Sequence, residues 1–125
     1  MVASIGTTEQ FKKALLRVRD KGLPPAHLAM LRAHCRAPDS TITPTKLAEA
    51  AEYENYNGAD LQYGLLARAI AEQLSYTPTT RKDGSGMWWT TLSYSIDGAT
   101  EADTGHFQFI MRPELVSALR EMRWA

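Results

Sequence analysis

Three histidines, one cysteine and a cluster of amides, cations and aromatics are the residues of this chain whose types could do chemistry. Cys35 directly follows His34, a pair that would suit a thiolate nucleophile and its base if the two side chains met. On a helix, however, neighbouring side chains point about 100° apart. Cys35 also falls on the apolar stripe of its segment, so the thiol reads as buried and inert. His27 and His34 share a helix face but stand two turns apart, too far to grip one metal ion. A lone cysteine makes no internal disulfide, and it makes no zinc site unless other ligands join it. Gly84-Ser85-Gly86 follows no strand pattern and opens no helix, so it is no phosphate loop. With no nucleophile, base and orienting group, no metal set and no cofactor motif, the chain reads as noncatalytic.

The remaining candidate chemistry is recognition. Asn55, Asn57 and Gln62 carry amides that could pair with an adenine edge. Lys46, Arg68, Arg81 and Lys82 could reach phosphates. Trp89, if exposed, could stack on a flipped base or on a partner's side chain, worth about 1–3 kcal/mol per stacked base. Each has a plainer reading beside it. Asn57 also suits a helix N-cap, and Trp89 could pack beneath the 97–105 loop or against a terminal helix. Glu49, Glu52, Glu54 and Asp60 surround the same turn and would repel a phosphate backbone.

The elements that must position these residues follow from periodicity and caps. Thr7 followed by Gln10 fits a capping box, and Phe11, Leu15 and Val18 recur at helical spacing to about Asp20. Pro24-Pro25 opens a second helix whose stripe is Leu28, Leu31 and Cys35, ending before Pro38. Thr43 as N-cap and Pro44 at the first helical position start a short third helix to about Glu52. A fourth and longest helix is expected over 59–74, with Asn57 as cap and Tyr63, Leu66, Ala67, Ile70 and Leu74 on its buried stripe. Turn chemistry occupies Thr77 to Gly86. Alternation over 87–96 predicts a strand with Trp88 inward and Trp89 outward. A second strand, 106–111, would pair with it antiparallel. Pro113 begins a last helix with Leu115, Val116, Leu119 and Met122 inward, ending at Trp124.

Composition fits this reading. The 125 residues, 44% hydrophobic and 22% charged, suit one domain, 1–125, able to bury about two thirds of its unfolded surface. No long apolar run exists, and the first residues lack the charged head and apolar core of a signal peptide, so the expectation is a cytoplasmic protein with no membrane contact. Fourteen Lys and Arg balance fourteen Asp and Glu, which argues against strong nonspecific nucleic-acid binding. The charges are uneven: residues 1–38 hold seven basic groups against two acidic, and residues 39–80 hold two against six.

The expected architecture is α+β and mostly helical: a winged helix-turn-helix-like core, a two-stranded antiparallel ribbon and a C-terminal helix packed on it. Within that frame, Leu47-Ala48-Glu49-Ala50-Ala51, Asn55 to Gly64, Ala67-Arg68, Trp88-Trp89, Gly105-His106-Phe107 and Met111 to Leu115 carry a resemblance. They resemble a family of small uncharacterised bacterial proteins whose segments also occur beside HNH nuclease domains in restriction-like proteins. The resemblance implies a noncatalytic DNA-binding or DNA-associated accessory module of a defence or restriction system; the nuclease's own His-Asn-His arrangement is absent. The alternative is a protein-interaction module, using exposed aromatics and the acidic turn to engage another protein or a second copy of the chain.

Overall fold

The computed structural model describes residues 5–95 and 108–125. They form five α-helices and a small antiparallel sheet in the order α1 (Thr8–Asp20), α2 (Pro25–Arg36), β1 (Thr41–Ile42), α3 (Pro44–Ala51), α4 (Tyr56–Leu74), β2 (Ser93–Tyr94), β3 (Phe109–Met111) and α5 (Pro113–Glu121). None of the described helices is long and apolar enough to cross a membrane.

Local chemistry sets most helix starts. Thr7 Oγ1 accepts from the Gln10 amide at 3.1 Å while Gln10 Oε1 accepts from the Thr7 amide at 2.8 Å, a complete capping box for α1. Thr43 Oγ1 accepts from the Lys46 amide at 3.2 Å, and Pro44 takes the first position of α3. α3 stops at Glu52, whose φ of 61° is left-handed, and the Tyr53 amide returns to the Ala48 carbonyl at 2.9 Å.

The fourth helix begins earlier than expected. Asn55, rather than Asn57, is its cap: Asn55 Oδ1 accepts from the amides of Asn57 and Gly58 at 3.0 and 3.2 Å. Asn57 therefore lies inside the first turn. An Asn two residues upstream presents the same acceptor, and the extended backbone at Asn55 (φ −154°, ψ 174°) aims it at the new helix.

The ribbon differs more. The sheet has three strands, ordered β1-β3-β2, with Thr41 opposite Ile110, Ile42 opposite Phe109, Ser93 opposite Met111 and Tyr94 opposite Ile110. Of the expected strand over 87–96, residue 96 lies outside the described residues; within 87–95 only Ser93–Tyr94 is strand, and Trp88–Thr91 coils into a 3₁₀ turn. The amides of Thr90 and Leu92 reach the carbonyls of Met87 and Trp89, each at 3.1 Å, and Thr90 Oγ1 donates to the Met87 carbonyl at 2.7 Å. Side chains in such a turn advance by about 120°, not 180°. The tryptophans accordingly exchange roles: Trp89 is buried, with its ring 5.5 Å from that of Phe109, and Trp88 is only half-buried. Of the second expected strand, residues 106–107 lie outside the described residues, as does the 97–105 loop.

α4 is the central helix. It buries Ala59, Tyr63, Leu66, Ala67, Ile70 and Ala71 and packs against α1, α3 and the Trp88–Thr91 turn. Among the described elements the last helix packs chiefly on α1, and it ends at Glu121 rather than at Trp124. Its C-terminal end is tied to α1 by Lys12 Nζ, which lies 2.5 Å from Glu121 and 3.0 Å from Glu9.

Candidate functional site

Two arrangements bring chemistry-bearing side chains together, one enclosed and one exposed. The enclosed one starts from Tyr63, whose place on the buried stripe of α4 obliges its hydroxyl to find a partner. It finds two, His34 Nδ1 at 3.0 Å and Ser93 Oγ at 2.5 Å. His34 Nε2 lies 3.0 Å from the Phe109 carbonyl. A carbonyl only accepts, so Nε2 carries the proton and Nδ1 is bare. The Tyr63 hydroxyl therefore donates to His34, and the Ser93 hydroxyl donates to Tyr63. One directed chain joins α2, α4, β2 and β3.

Its electrostatics follow from burial. His34 and Ser93 are 0% exposed and Tyr63 1%. Desolvation pushes the His34 imidazole down to about 4, against the pull of the Phe109 and Ser40 carbonyls, and pushes the Tyr63 phenol up. All three groups are neutral near pH 7. The Ser-Tyr-His order looks like a proton relay, yet all three members are closed off from solvent. The chain pins the sheet to the helices. Cys35, also buried, takes no part in it.

Arg112 makes a similar tie at the β3–α5 junction. Its Nε donates to the Thr90 carbonyl at 2.9 Å, its amide donates to the Leu92 carbonyl at 2.9 Å, and burial lowers its pKa. Sequence reasoning missed both ties. The signal for one was present: a tyrosine on a buried stripe requires a hydrogen-bond partner, though spacing does not say which.

The exposed arrangement is the α3–α4 corner, where Lys46, Asn55, Asn57 and Gln62 lie; the other candidates lie elsewhere. Lys46 Nζ is 3.3 Å from Glu49. Asn55 caps α4, and Gln62 Oε1 accepts from His27 Nε2 at 2.8 Å. Arg68 is 3.5 Å from Glu72, and its guanidinium lies 5.2 Å from the centre of the Trp88 ring. Arg81 holds its own hairpin together, with Nη1 donating to the Gly86 carbonyl at 2.7 Å and to Ser85 Oγ at 3.3 Å. Trp89 is in the core. Asn57 and Lys82 are exposed.

The structure thus gives six of these eight residues an intramolecular task. The exposed Glu49, Glu52, Glu54 and Asp60 share the corner with Lys46, Asn55, Asn57 and Gln62. The basic first helix is compensated in part: Lys12, held by Glu121 and Glu9, has its pKa raised, and Arg19 lies 3.2 Å from Asp20.

Further along, the outer face of α4 presents apolar side chains. Leu61 and Leu65, on the outer face of α4, are 63% and 49% exposed, more than any other large hydrophobic side chain among the described residues. Gly64, to one side of them on α4, has no atom within 4 Å of where a Cβ would sit. A cleft of about 270 Å³ opens beside Leu65, lined also by Ala69, Gln73, His27 and the α1–α2 turn. A second groove, of about 600 Å³, runs along Pro38, Ile42, Thr43 and Lys46 to Gln108. Among the described residues, no three of His, Cys, Asp and Glu converge as a metal site would require. No protein-family model, curated protein or solved structure matches the chain.

Proposed function

We propose that the chain is a noncatalytic interaction module with a winged-helix core, and that the outer face of α4 engages another protein. The order α2, β1, α3, α4, β2, β3 with β3 central in the sheet supports the winged-helix reading. The observation that carries the function is the exposed Leu61 and Leu65 on the outer face of the helix that such a core would use for recognition. Apolar contact suits a protein surface, whereas DNA readout needs base-edge amides and cations. Of those, Asn55, Gln62, Arg68 and Arg81 are already engaged within the chain.

The DNA reading, as an accessory module of a defence or restriction system, rests on the family resemblance, on Asn57, and on Lys82 in the hairpin at Thr80–Gly86. A mobility-shift titration with duplex and single strands, including modified bases, decides between the two. The protein reading expects no retardation at low salt. A retarded complex that weakens steeply with added salt, as counterion release demands, and that weakens further in Lys82→Ala, overturns it.

A further inference from the structure

We propose that β1 is a docking edge for an extended segment of another protein, which adds to the sheet as a parallel strand beside residues 41–43. The sheet order β1-β3-β2 leaves β1 at an edge among the described residues. An edge strand turns backbone groups outward, and the ladder says which. The Arg112 amide donates to the Leu92 carbonyl, so the residues of β3 face β2 and β1 in turn: Ile110 toward β2, Phe109 and Met111 toward β1. Ile42, opposite Phe109, therefore turns its amide and carbonyl inward. Thr41 and Thr43 turn theirs outward.

Two of those outward groups are used within the chain. The Thr41 amide donates to the Pro38 carbonyl, and the Thr43 carbonyl accepts from the Leu47 amide at 2.9 Å. The Thr41 carbonyl and the Thr43 amide have no hydrogen-bond partner among the described residues. An acceptor and a donor two residues apart on one edge are what a single residue of a parallel strand engages, its amide on the first and its carbonyl on the second. That residue then lies level with Ile42, with its side chain on the same face as the buried Ile42 side chain. The groove of about 600 Å³ runs along this edge, walled there by Ala37, Pro38, Ile42 and Ala50, so it receives an apolar side chain. Lys46 and Glu49, 3.3 Å apart, also line it and offset each other, so the segment need carry no charge. Strand addition of this kind draws affinity from the backbone and selectivity from the pocket. The groove shares no residue with the exposed Leu61 and Leu65, and the proposal does not depend on the α4 face.

The test is an NMR titration of the full chain with the peptide acetyl-Ser-Thr-Val-Thr-Ser-amide, a neutral segment with one apolar side chain. In the free chain the Thr43 amide should exchange rapidly with solvent. With peptide it should become protected and move downfield, saturating below about 10 mM, the weak range suited to a contact of a few residues. Methylating the backbone nitrogen of the peptide's valine keeps its side chain and removes the donor to the Thr41 carbonyl; binding should weaken at least about threefold, as for one lost hydrogen bond. Thr43→Pro removes the other donor and should weaken binding as much. Thr43→Ala loses the side-chain cap but keeps the amide, and should bind like the wild type. The chain already starts α2 on consecutive prolines, Pro24 and Pro25, so α3 can begin in the same way, and circular dichroism checks that both variants fold. No saturable shift, equal binding of the methylated peptide, unchanged binding by Thr43→Pro, or a Thr43 amide already protected in the free chain overturns the proposal. So does a dimer in sedimentation velocity that Thr43→Pro dissociates, because the edge is then covered by a second copy. The mobility shift judges the α4 face separately, and neither result decides the other.

Discussion

Acidification from pH 7.5 to pH 5 is expected to remove about 2 kcal/mol of folding stability through His34 alone, and about 3 kcal/mol by pH 4. The imidazole titrates near 6.5 in an unfolded chain and near 4 in the fold, where it is completely buried and donates to the Phe109 carbonyl while accepting from Tyr63. Between those two values the unfolded chain binds the proton and the folded chain does not, so stability falls as pH falls through the window. Above 6.5 the contribution is fully present; below 4 no more is lost. Against a total stability of about 5–15 kcal/mol for a domain, that is a large fraction. Urea unfolding followed by circular dichroism at pH 7.5, 6 and 5 measures it. His34→Gln isolates it, because an amide offers one donor and one acceptor but takes up no proton. The wild type should lose the full amount between pH 7.5 and 5 relative to the variant. Equal losses in both proteins, or a His34 titration measured by NMR above about 5.5, would refute the reasoning.

Three further outcomes follow from the same contacts. Tyr63→Phe leaves His34 Nδ1 without its donor and the Ser93 hydroxyl without its acceptor, at a cost of about 1–3 kcal/mol; chemical denaturation should show it, and the added cost of Ser93→Ala should be smaller in that background than in the wild type. Asn55→Ala removes the cap of α4 and should cost about 1 kcal/mol, whereas Asn57→Ala should be nearly neutral; the reverse order in thermal melts would restore Asn57 as the cap. Trp89→Ala should destabilise the fold by about 3–5 kcal/mol, far more than Trp88→Ala, because Trp89 packs in the core against Phe109.

Helix positions were legible in the sequence because their causes are local. Thr7 with Gln10, Thr43 with Pro44, and Pro25 and Pro113 at first helical positions act within one turn of chain, and the structure keeps all of them. The apolar stripes of α1, α4 and α5 likewise named much of the core. The Asn55 cap was missed by two residues because Asn55 and Asn57 offer the same acceptor, and only the backbone angle before the helix selects one.

What the sequence by itself determined, then, is the set of helices and the balance of charge. Tertiary structure alone decided the rest. Alternation over 87–96 fits a strand, but the chain coils at Trp88–Thr91, and the core takes Trp89 and leaves Trp88 half-buried. Thr41–Ile42 is too short to carry a period and becomes a strand because β3 lies alongside it. The His34–Tyr63–Ser93 chain joins residues 29 and 30 positions apart, and His34 reaches a carbonyl 75 positions away. Such pairings leave no spacing rule in the sequence, since they depend on which helix faces which strand. The same holds for the recognition candidates. Residue type made Gln62, Arg68 and Arg81 eligible for DNA; their neighbours in the fold, His27, Glu72 with Trp88, and the Gly86 carbonyl, engage them within the chain.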